Sequence, residues 1–443
     1  MRALAFLRSA WRDPVEVLAA FADEPFALGL LSGGAGRWSY VARQPDAQVI
    51  LRPDNPREPL AALGDLLGPI CEPDPEGPPF QGGVAGLCAY DLGRGVGARL
   101  EAWPDLACGR YPALLAFDHH RREVVAVGRG RDPDAAAHNA ARAQDWLSLA
   151  EMCSIRTEPL AHALEAEPAD RYEAAVADVV TRIGRGEIFQ ANIARRWRGR
   201  LASGAKPIDL LRRLTTQSPA PFAAYLRLAD RAVVSNSPER FISVRREAGG
   251  LIAQTQPIKG TARRGRDAAE DARLAAALAV SAKDRAENLM IVDLMRNDFS
   301  RVCTPGAVTA SKLFSVESFA NVHHLVSTVE GQLAAGRSAL DLLRAAFPPG
   351  SITGAPKIQA MKVIAGLEAP RGPFFGAMIW AGFDGAMDSS VLIRTAACVA
   401  DGQGWRIEAR AGGGVVADSV PRDELEETEA KFAALRRALL DPA

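Results

Sequence analysis

QTQPIKGTARRG, residues Gln254 to Gly265, sets one lysine at what reads as the end of a strand. From Leu251 to Gln256 the residues alternate apolar and polar, the period of an extended segment with one buried face. Pro257 reads as the end of that segment, and Gly260 with Thr261 as the start of a turn. Lys259 would then face inward. Burial disfavours the charged ammonium, lowers its pKa and turns it towards a nucleophile or base. A solvated lysine at a strand end is the bland alternative, since lysine is rarely buried. The rest of the chain decides between them.

Around this stretch, strands and helices come in blocks. Residues 1 to about 128 are rich in Gly and Pro and hold short apolar runs such as ALGLL and ALLAF, which predicts a mostly β region. An Ala-rich helix is predicted from Asp134 to Met152, and the polar segment Thr157 to Pro168 reads as a linker. Beyond it, Tyr172, Val176, Val179, Val180 and Ile183 fall at helical spacing, with Asp170 as N-cap and Gly186 as stop. GEIFQANIARRW reads as a strand. Two helices are predicted from Asp267 to Asp298, another before PPGSITGAP, and one from Ala355 with Pro356 in its first turn. Three or four strands follow between Phe374 and Val416, then a helix from Pro421 to Leu440 capped by Asp418 or Ser419. Such blocks predict an α+β fold with largely antiparallel sheets, divided into residues 1–156 and 169–441.

Composition narrows the function. The chain has 443 residues, 48% hydrophobic and 24% charged, with 53 basic and 53 acidic residues. That balance gives no reason to expect nucleic acid or an anionic membrane surface. The cysteines Cys71, Cys88, Cys108, Cys153, Cys303 and Cys398 form no CxxC pair, so they read as reduced thiols in a cytoplasmic protein. The N-terminal apolar run is broken by Arg8 and Arg12, too charged for a signal peptide. No phosphate-binding glycine motif follows a strand, so nucleotide binding has no support.

Two helices carry acids in a pattern that solvation explains poorly. Asp284 and Glu287 share a helix face, and the helix is then apolar at six of seven positions from Leu289 to Met295. It is expected to be buried nearly all round. In the terminal helix Glu424, Glu427 and Lys431 share one stripe beside an apolar stripe of Leu425, Phe432, Leu435 and Leu439. Glu426 and Glu429 read as plain solvation. Four carboxylates with no His or Cys beside them suit a hard divalent cation such as Mg²⁺. Helix-dipole matching or surface decoration would account for the same acids.

GSITGAPK sets glycines before a helix start, where free N–H groups bind carboxylate or phosphate. Gly412, Gly413 and Gly414 allow close backbone approach. Arg394, read as lying inside the strand SVLIRTAAC, needs an anionic partner if it points inward. Together these features suggest a small, multiply anionic substrate held partly through metal.

GEIFQANIA, SPERF, PIKGT, AKDRAENLMIVDLMRND, VHHLVSTVEG, GSITGAPK and GGGVVADS…ELEETEAK occur in this order from Gly186 to Lys431. The set resembles the chorismate-utilising enzymes, most closely their aminodeoxychorismate synthase branch. SGGAGRWSY and GGVAGLCAYDLGR resemble them less sharply. The resemblance implies two interleaved subdomains whose sheets pack face to face between flanking helices. It implies that Lys259 is a covalent nucleophile, attacking C2 of chorismate as the C4 hydroxyl leaves, with Glu239 as general acid and base. It implies Mg²⁺ on Glu287 and Glu427, with Asp284 and Glu424 in outer, water-bridged positions. Gln190, Thr261, His324, Gly354, Arg394, Gly412, Gly413 and Lys431 would line the substrate, and His323 would be structural.

The resemblance also separates subfamilies. Anthranilate synthases carry Ala at the position of Lys259. Isochorismate and salicylate synthases carry Lys at that of Gln190. Both points favour amination at C4. A tryptophan pocket is implied at Ser32, Ala35, Gly36, Arg37, Trp38, Pro221, Phe222 and Ala223. The chain shows no glutamine-amidotransferase signature, so ammonia is expected from a separate amidotransferase subunit. The alternatives are an anthranilate synthase component and a non-catalytic tryptophan-binding homologue.

Overall fold

The protein is described by a computed structural model covering residues 3–34, 36–94, 103–150, 156–318 and 322–442. Its strands form two antiparallel sheets. The twelve-stranded sheet begins at Ala3–Ala10 and runs through Glu123–Gly130, Ala113–Asp118, Trp38–Ala42 and Leu28–Leu31. It continues through Phe222–Arg227, Arg231–Ser237, Thr395–Ala400, Trp405–Val415 and Gln190–Leu201 to the short Gly354–Ala355. The ten-stranded sheet begins at Ile258–Arg263 and runs through Val322–Gln332, Gly250–Thr255, Arg240–Glu247 and Met387–Val391. Ala377–Gly382, Gly83–Cys88, Leu106–Tyr111 and Ala47–Leu51 complete its path. Each sheet draws strands from before residue 130 and after residue 190, so the two halves of the chain interleave.

The sheets pack on one another through a shared core. Leu114 and Ala116 of the first sheet meet Val84, Leu87 and Ile379 of the second there. The other face of the twelve-stranded sheet is covered by helices. Leu115 and Phe117 join Val17, Leu210, Leu214, Phe432 and Leu439 in a second core. A strand covered on both faces is apolar throughout, which is why ALLAF reads as a run instead of alternating. Where a helix comes closest, the strand gives up its side chains. Ala136 and Ala140 of helix Pro133–Asp145 pack on Gly128, whose missing Cβ would lie 2.1 Å from the Ala136 carbonyl oxygen.

Several sequence expectations shift. The Ala-rich helix ends at Asp145, because Trp146 turns in to pack on Phe21; Met152 and Cys153 lie outside the described residues. The expected linker contains a strand, Ala161–Ala166, paired with Gln190–Leu201. Asp170 lies in the first turn of helix Ala169–Gly184, whose N-cap is Pro168. Neither Asp418 nor Ser419 caps the terminal helix; its N-cap is Val420, and the Ser419 hydroxyl turns to Glu424 instead. Helix Ala282–Ser300 is not buried all round. It lies against strand Val322–Gln332 on one side only, so Ile291, Val292, Met295 and Phe299 are buried while Leu289 is 43% exposed. Glu429 is not plainly solvated, since it takes the guanidinium of buried Arg195 and that of Arg436.

The terminal helix is held onto the larger sheet by Trp197, 1% exposed, stacked on Phe432 at 4.2 Å between ring centroids. Trp197→Ala should lower the unfolding free energy by about 3–5 kcal/mol in denaturant melts, the usual cost of emptying a buried aromatic site. A loss below about 1 kcal/mol would show that the stack does not hold the helix.

Candidate active site

Lys259 does not end a strand; it is the second residue of one, Ile258–Arg263. The register against Val322–Gln332 shifts between Ile258 and Thr261, a bulge centred on Gly260. Gly260 takes φ +78°, and a Cβ there would lie 2.8 Å from the Asp284 carboxyl carbon. Only glycine satisfies both demands. The expected turn at Gly260 is therefore a bulge, which lets helix Ala282–Ser300 close on the lysine strand.

The amine of Lys259 points at the glycine strand. Its Nζ lies 3.3 Å from where a Cβ on Gly414 would sit, and Gln190 Nε2 lies 2.7 Å from the same point. Gln190 is wholly buried, and neither polar atom of its amide has a partner among the described residues. Burial pushes the Lys259 pKa down and Lys431 pushes the same way, against Glu287, Glu239 and Glu427. The net shift favours the neutral amine, the form able to attack carbon.

Glu239, 7% exposed, faces the same space. Burial raises its carboxyl pKa, opposed by a hydrogen bond with Ser351 and by the charges of Lys259, Lys431 and Arg394. A carboxyl raised in this way can hold a proton and donate it. Arg394 is not inside a strand as expected. It sits in the bend between Met387–Val391 and Thr395–Ala400, with φ 49°. A non-glycine residue there is strained, a feature that gathers at functional sites. His324 is 4% exposed and hydrogen-bonded to Thr261 at 2.9 Å. Burial and Arg394 push its pKa to about 4, so it is neutral at pH 7. His323 turns away to Ser318 and Asp271, a structural contact.

The acids approach from two helices. Glu424 Oε2 and Glu427 Oε1 lie 2.7 and 3.6 Å from the position a Cβ on Gly413 would take. Lys431 pairs with Glu427 and donates to the Gly412 carbonyl at 3.0 Å. From helix Ala282–Ser300, Glu287 and Asp284 raise this negative field, and burial lifts the Glu287 pKa. Among the described residues no three acids or histidines are gathered at metal-ligating distance. The donor set still suits a hard cation: oxygen only, with Glu424 Oε2 buried and without a hydrogen-bond partner among the described residues. Gly354 closes one side, packed on the Gln190 carbonyl. Lys259, Glu239, Glu287, Glu427, Lys431 and Arg394 are thus close enough to act on one another's charges, with Gln190 and the glycine strand beside them and the Thr261–His324 pair within reach of Arg394. Sequence reasoning missed Ser351, the Glu239 partner, although it lies in GSITGAPK; Gly414, read as a place for close backbone approach, faces Gln190 and the Lys259 amine.

A second cavity, ≈ 370 Å³, gathers Ser32, Gly36, Arg37, Trp38, Pro221, Phe222 and Ala223 as expected for the aromatic pocket; Ala35 lies outside the described residues. Tyr40, the last residue of SGGAGRWSY, also lines it, as do Met378, Trp380 and Asp388, which had no signal in the sequence.

The fold is that of the chorismate-binding enzymes: the family model described as chorismate binding enzyme matches residues 27–437, and the chain belongs to that family. It is 39% identical to aminodeoxychorismate synthase component 1 of Klebsiella aerogenes, over 96% of each chain. It is 38% identical to anthranilate synthase component 1 of Streptomyces coelicolor, over 96% of this chain and 88% of that one. Among solved structures it resembles anthranilate synthase component I of Streptococcus pneumoniae, with a TM-score of 0.78 and 28% identity over 91% of this chain and 92% of that one. Among the described residues no helix is long and apolar enough to cross a membrane.

Two outcomes test this geometry. Gly414→Ala would push a methyl against Gln190 and Lys259 at a backbone position that tolerates alanine. It should leave the melting temperature within about 2 °C while lowering turnover of chorismate at least about 100-fold. Unchanged turnover would mean that the amine does not work from this position. His324 ordinarily titrates near 6.5 but near 4 when folded. Between those values the unfolded chain binds the extra proton, so stability falls as pH falls. Denaturant melts at pH 7.5 and pH 5 should show His324 contributing about 2 kcal/mol of that loss, absent in His324→Gln.

Proposed function

We propose that this chain is the synthase component of an aminodeoxychorismate synthase, converting chorismate and ammonia to 4-amino-4-deoxychorismate for para-aminobenzoate and folate synthesis in the cytoplasm. The observation that carries the reading is Lys259 itself, a desolvated amine aimed between Gln190 and Gly414. The neutral amine attacks C2 of the ring, the two conjugated double bonds shift from C1–C2 and C5–C6 to C1–C6 and C4–C5, and the C4 hydroxyl leaves as water with a proton from Glu239. Ammonia then adds at C4, both double bonds shift back, and the C2–nitrogen bond breaks to return the lysine. The Glu239 carboxylate takes up the proton shed by the incoming ammonia. The raised pKa of Glu239 suits both halves of that cycle.

Arg394 and Lys431 supply positive charge for the substrate carboxylates, and the backbone at Gly412 and Gly413 allows close approach. Neutral His324, fixed by Thr261, can hydrogen-bond a substrate oxygen without adding charge. Glu287 and Glu427, with Asp284 and Glu424 behind them, would hold Mg²⁺; when bound, the ion neutralises a substrate carboxylate. Ammonia is supplied by a separate glutamine amidotransferase subunit, in keeping with relatives named as component 1. The aromatic cavity, lined by Ser32, Tyr40, Met378 and Trp380 among others, is the place proposed for tryptophan.

An anthranilate synthase is the second reading, since a relative so named is nearly as similar. The test is product analysis after incubation with chorismate, Mg²⁺ and ammonia. The proposed reaction keeps the enolpyruvyl group, whereas anthranilate has lost it. Lys259→Ala should abolish the C4-aminated product, at least about 1,000-fold, and the wild type should yield a chorismate-derived adduct on Lys259 detectable by mass spectrometry. Anthranilate as the wild-type product would overturn the reading.

A further inference from the structure

Glu427 and Lys431 stand one turn apart on the terminal helix and form an ion pair. The same ammonium donates to the Gly412 carbonyl at 3.0 Å. Beside it, the bare backbone of Gly413 leaves a position 2.7 Å from Glu424 Oε2 and 3.6 Å from Glu427 Oε1. Glu424 Oε1 accepts from the Ser419 hydroxyl at 2.7 Å, but Oε2 is buried with no hydrogen-bond partner among the described residues. Two adjacent acids are thus treated unequally: one keeps an unsatisfied oxygen, and the other is neutralised by a lysine. The neutralised pair is open to solvent, with side chains 40% and 49% exposed for Lys431 and Glu427. An exposed pair at this spacing is a weak contact, easily exchanged.

We propose that Lys431 is a resident counter-ion which a divalent cation displaces. In the metal-free protein it holds Glu427 and keeps the terminal helix beside the glycine strand. When a cation takes the Glu427 oxygens, the ammonium is released, still tethered at Gly412 and free to meet a substrate carboxylate. The metal and an anionic substrate are then linked through one side chain, since the cation frees the very charge the substrate uses. This rests on the reading of the four acids as a magnesium site. Lys283 is the natural control. It acts on the charges of Glu287, Glu424 and Glu427 through space. Among the described residues it pairs with none of them.

The test is Mn²⁺ binding followed by electron paramagnetic resonance, and Mg²⁺ binding by calorimetry, on the full chain without substrate. Lys431→Met should bind either ion about fivefold to tenfold more tightly than wild type. Lys431→Gln should do the same while keeping a donor for the Gly412 carbonyl. Lys283→Met should tighten binding by no more than about twofold, the effect of a more distant, screened charge. Equal tightening by the Lys431 and Lys283 variants would overturn the exchange, leaving only general electrostatics. Glu427→Gln should weaken binding at least about tenfold. If it does not, or if neither wild type nor Lys431→Met binds Mn²⁺, the magnesium reading itself fails and takes the exchange with it.

Discussion

A primary amine attacks carbon only when it has shed its proton, and the site is arranged so that half-buried Lys259 sheds it more readily than a free lysine. Burial provides the largest push on its pKa, and Lys431 adds to it. The opposing pull comes from Glu287, Glu239 and Glu427, so the amine is poised between acids that would charge it and a dry wall that would not. That wall is the glycine strand with Gln190. A side chain at Gly413 would run into Glu424 and Glu427, and one at Gly414 into Gln190 and the Lys259 amine. The bulge at Gly260 performs the matching service on the lysine strand by admitting Asp284. Both strands thus give up side chains where the chemistry needs room.

Two short stretches of chain serve both the aromatic cavity and the lysine. Pro238 and Arg240 line that cavity while Glu239, between them, acts on the charge of Lys259; Gln256 and Ile258 line it while Lys259 does not. Pro238 and Glu239 lie in the connection between strands Arg231–Ser237 and Arg240–Glu247, and Gln256 in the one before Ile258–Arg263, so both stretches are fixed by the strands at their ends. Arg240 ties the wall together, bonding Asp388 through two nitrogens at 2.9 and 3.1 Å and Gln256 at 2.9 Å. A ligand on one side therefore leans on backbone that sets the position of Glu239 and Lys259 on the other. Shape on the aromatic side has to be kept for geometry on the lysine side.

The α+β class and the antiparallel sheets were legible in the sequence, because blocks of strands and helices leave few other arrangements. Most of the site was legible too, because its residues lie in ordered motifs. What the chain hid was long-range. Nothing local in GLIAQTQPIKGT distinguishes a turn at Gly260 from a bulge, since the difference lies in the pairing with Val322–Gln332. Arg394 looked like a strand residue because SVLIRTAAC is apolar on both sides; its φ of 49° follows from the chain leaving one sheet for the other. Leu289 to Met295 looked fully buried because composition records apolarity but not which face finds a neighbour. Trp380 gave no signal, since it lies in an ordinary apolar strand, and Tyr40, the last residue of SGGAGRWSY, meets it only when the two sheets pack.

Likeness over the whole chain does not choose between reactions here. Relatives named for C4 amination and for anthranilate formation stand at 39% and 38% identity. A solved anthranilate synthase component shares the fold over nine-tenths of the chain. The shared backbone is therefore a common frame, and discrimination must come from a group small enough to leave that frame unmoved. A single amine at position 259 meets that requirement. It supplies a nucleophile without moving the backbone around it, and the burial that lowers its pKa belongs to the frame, not to the lysine. The frame sets the conditions under which an amine would be reactive; residue 259 decides whether one is there.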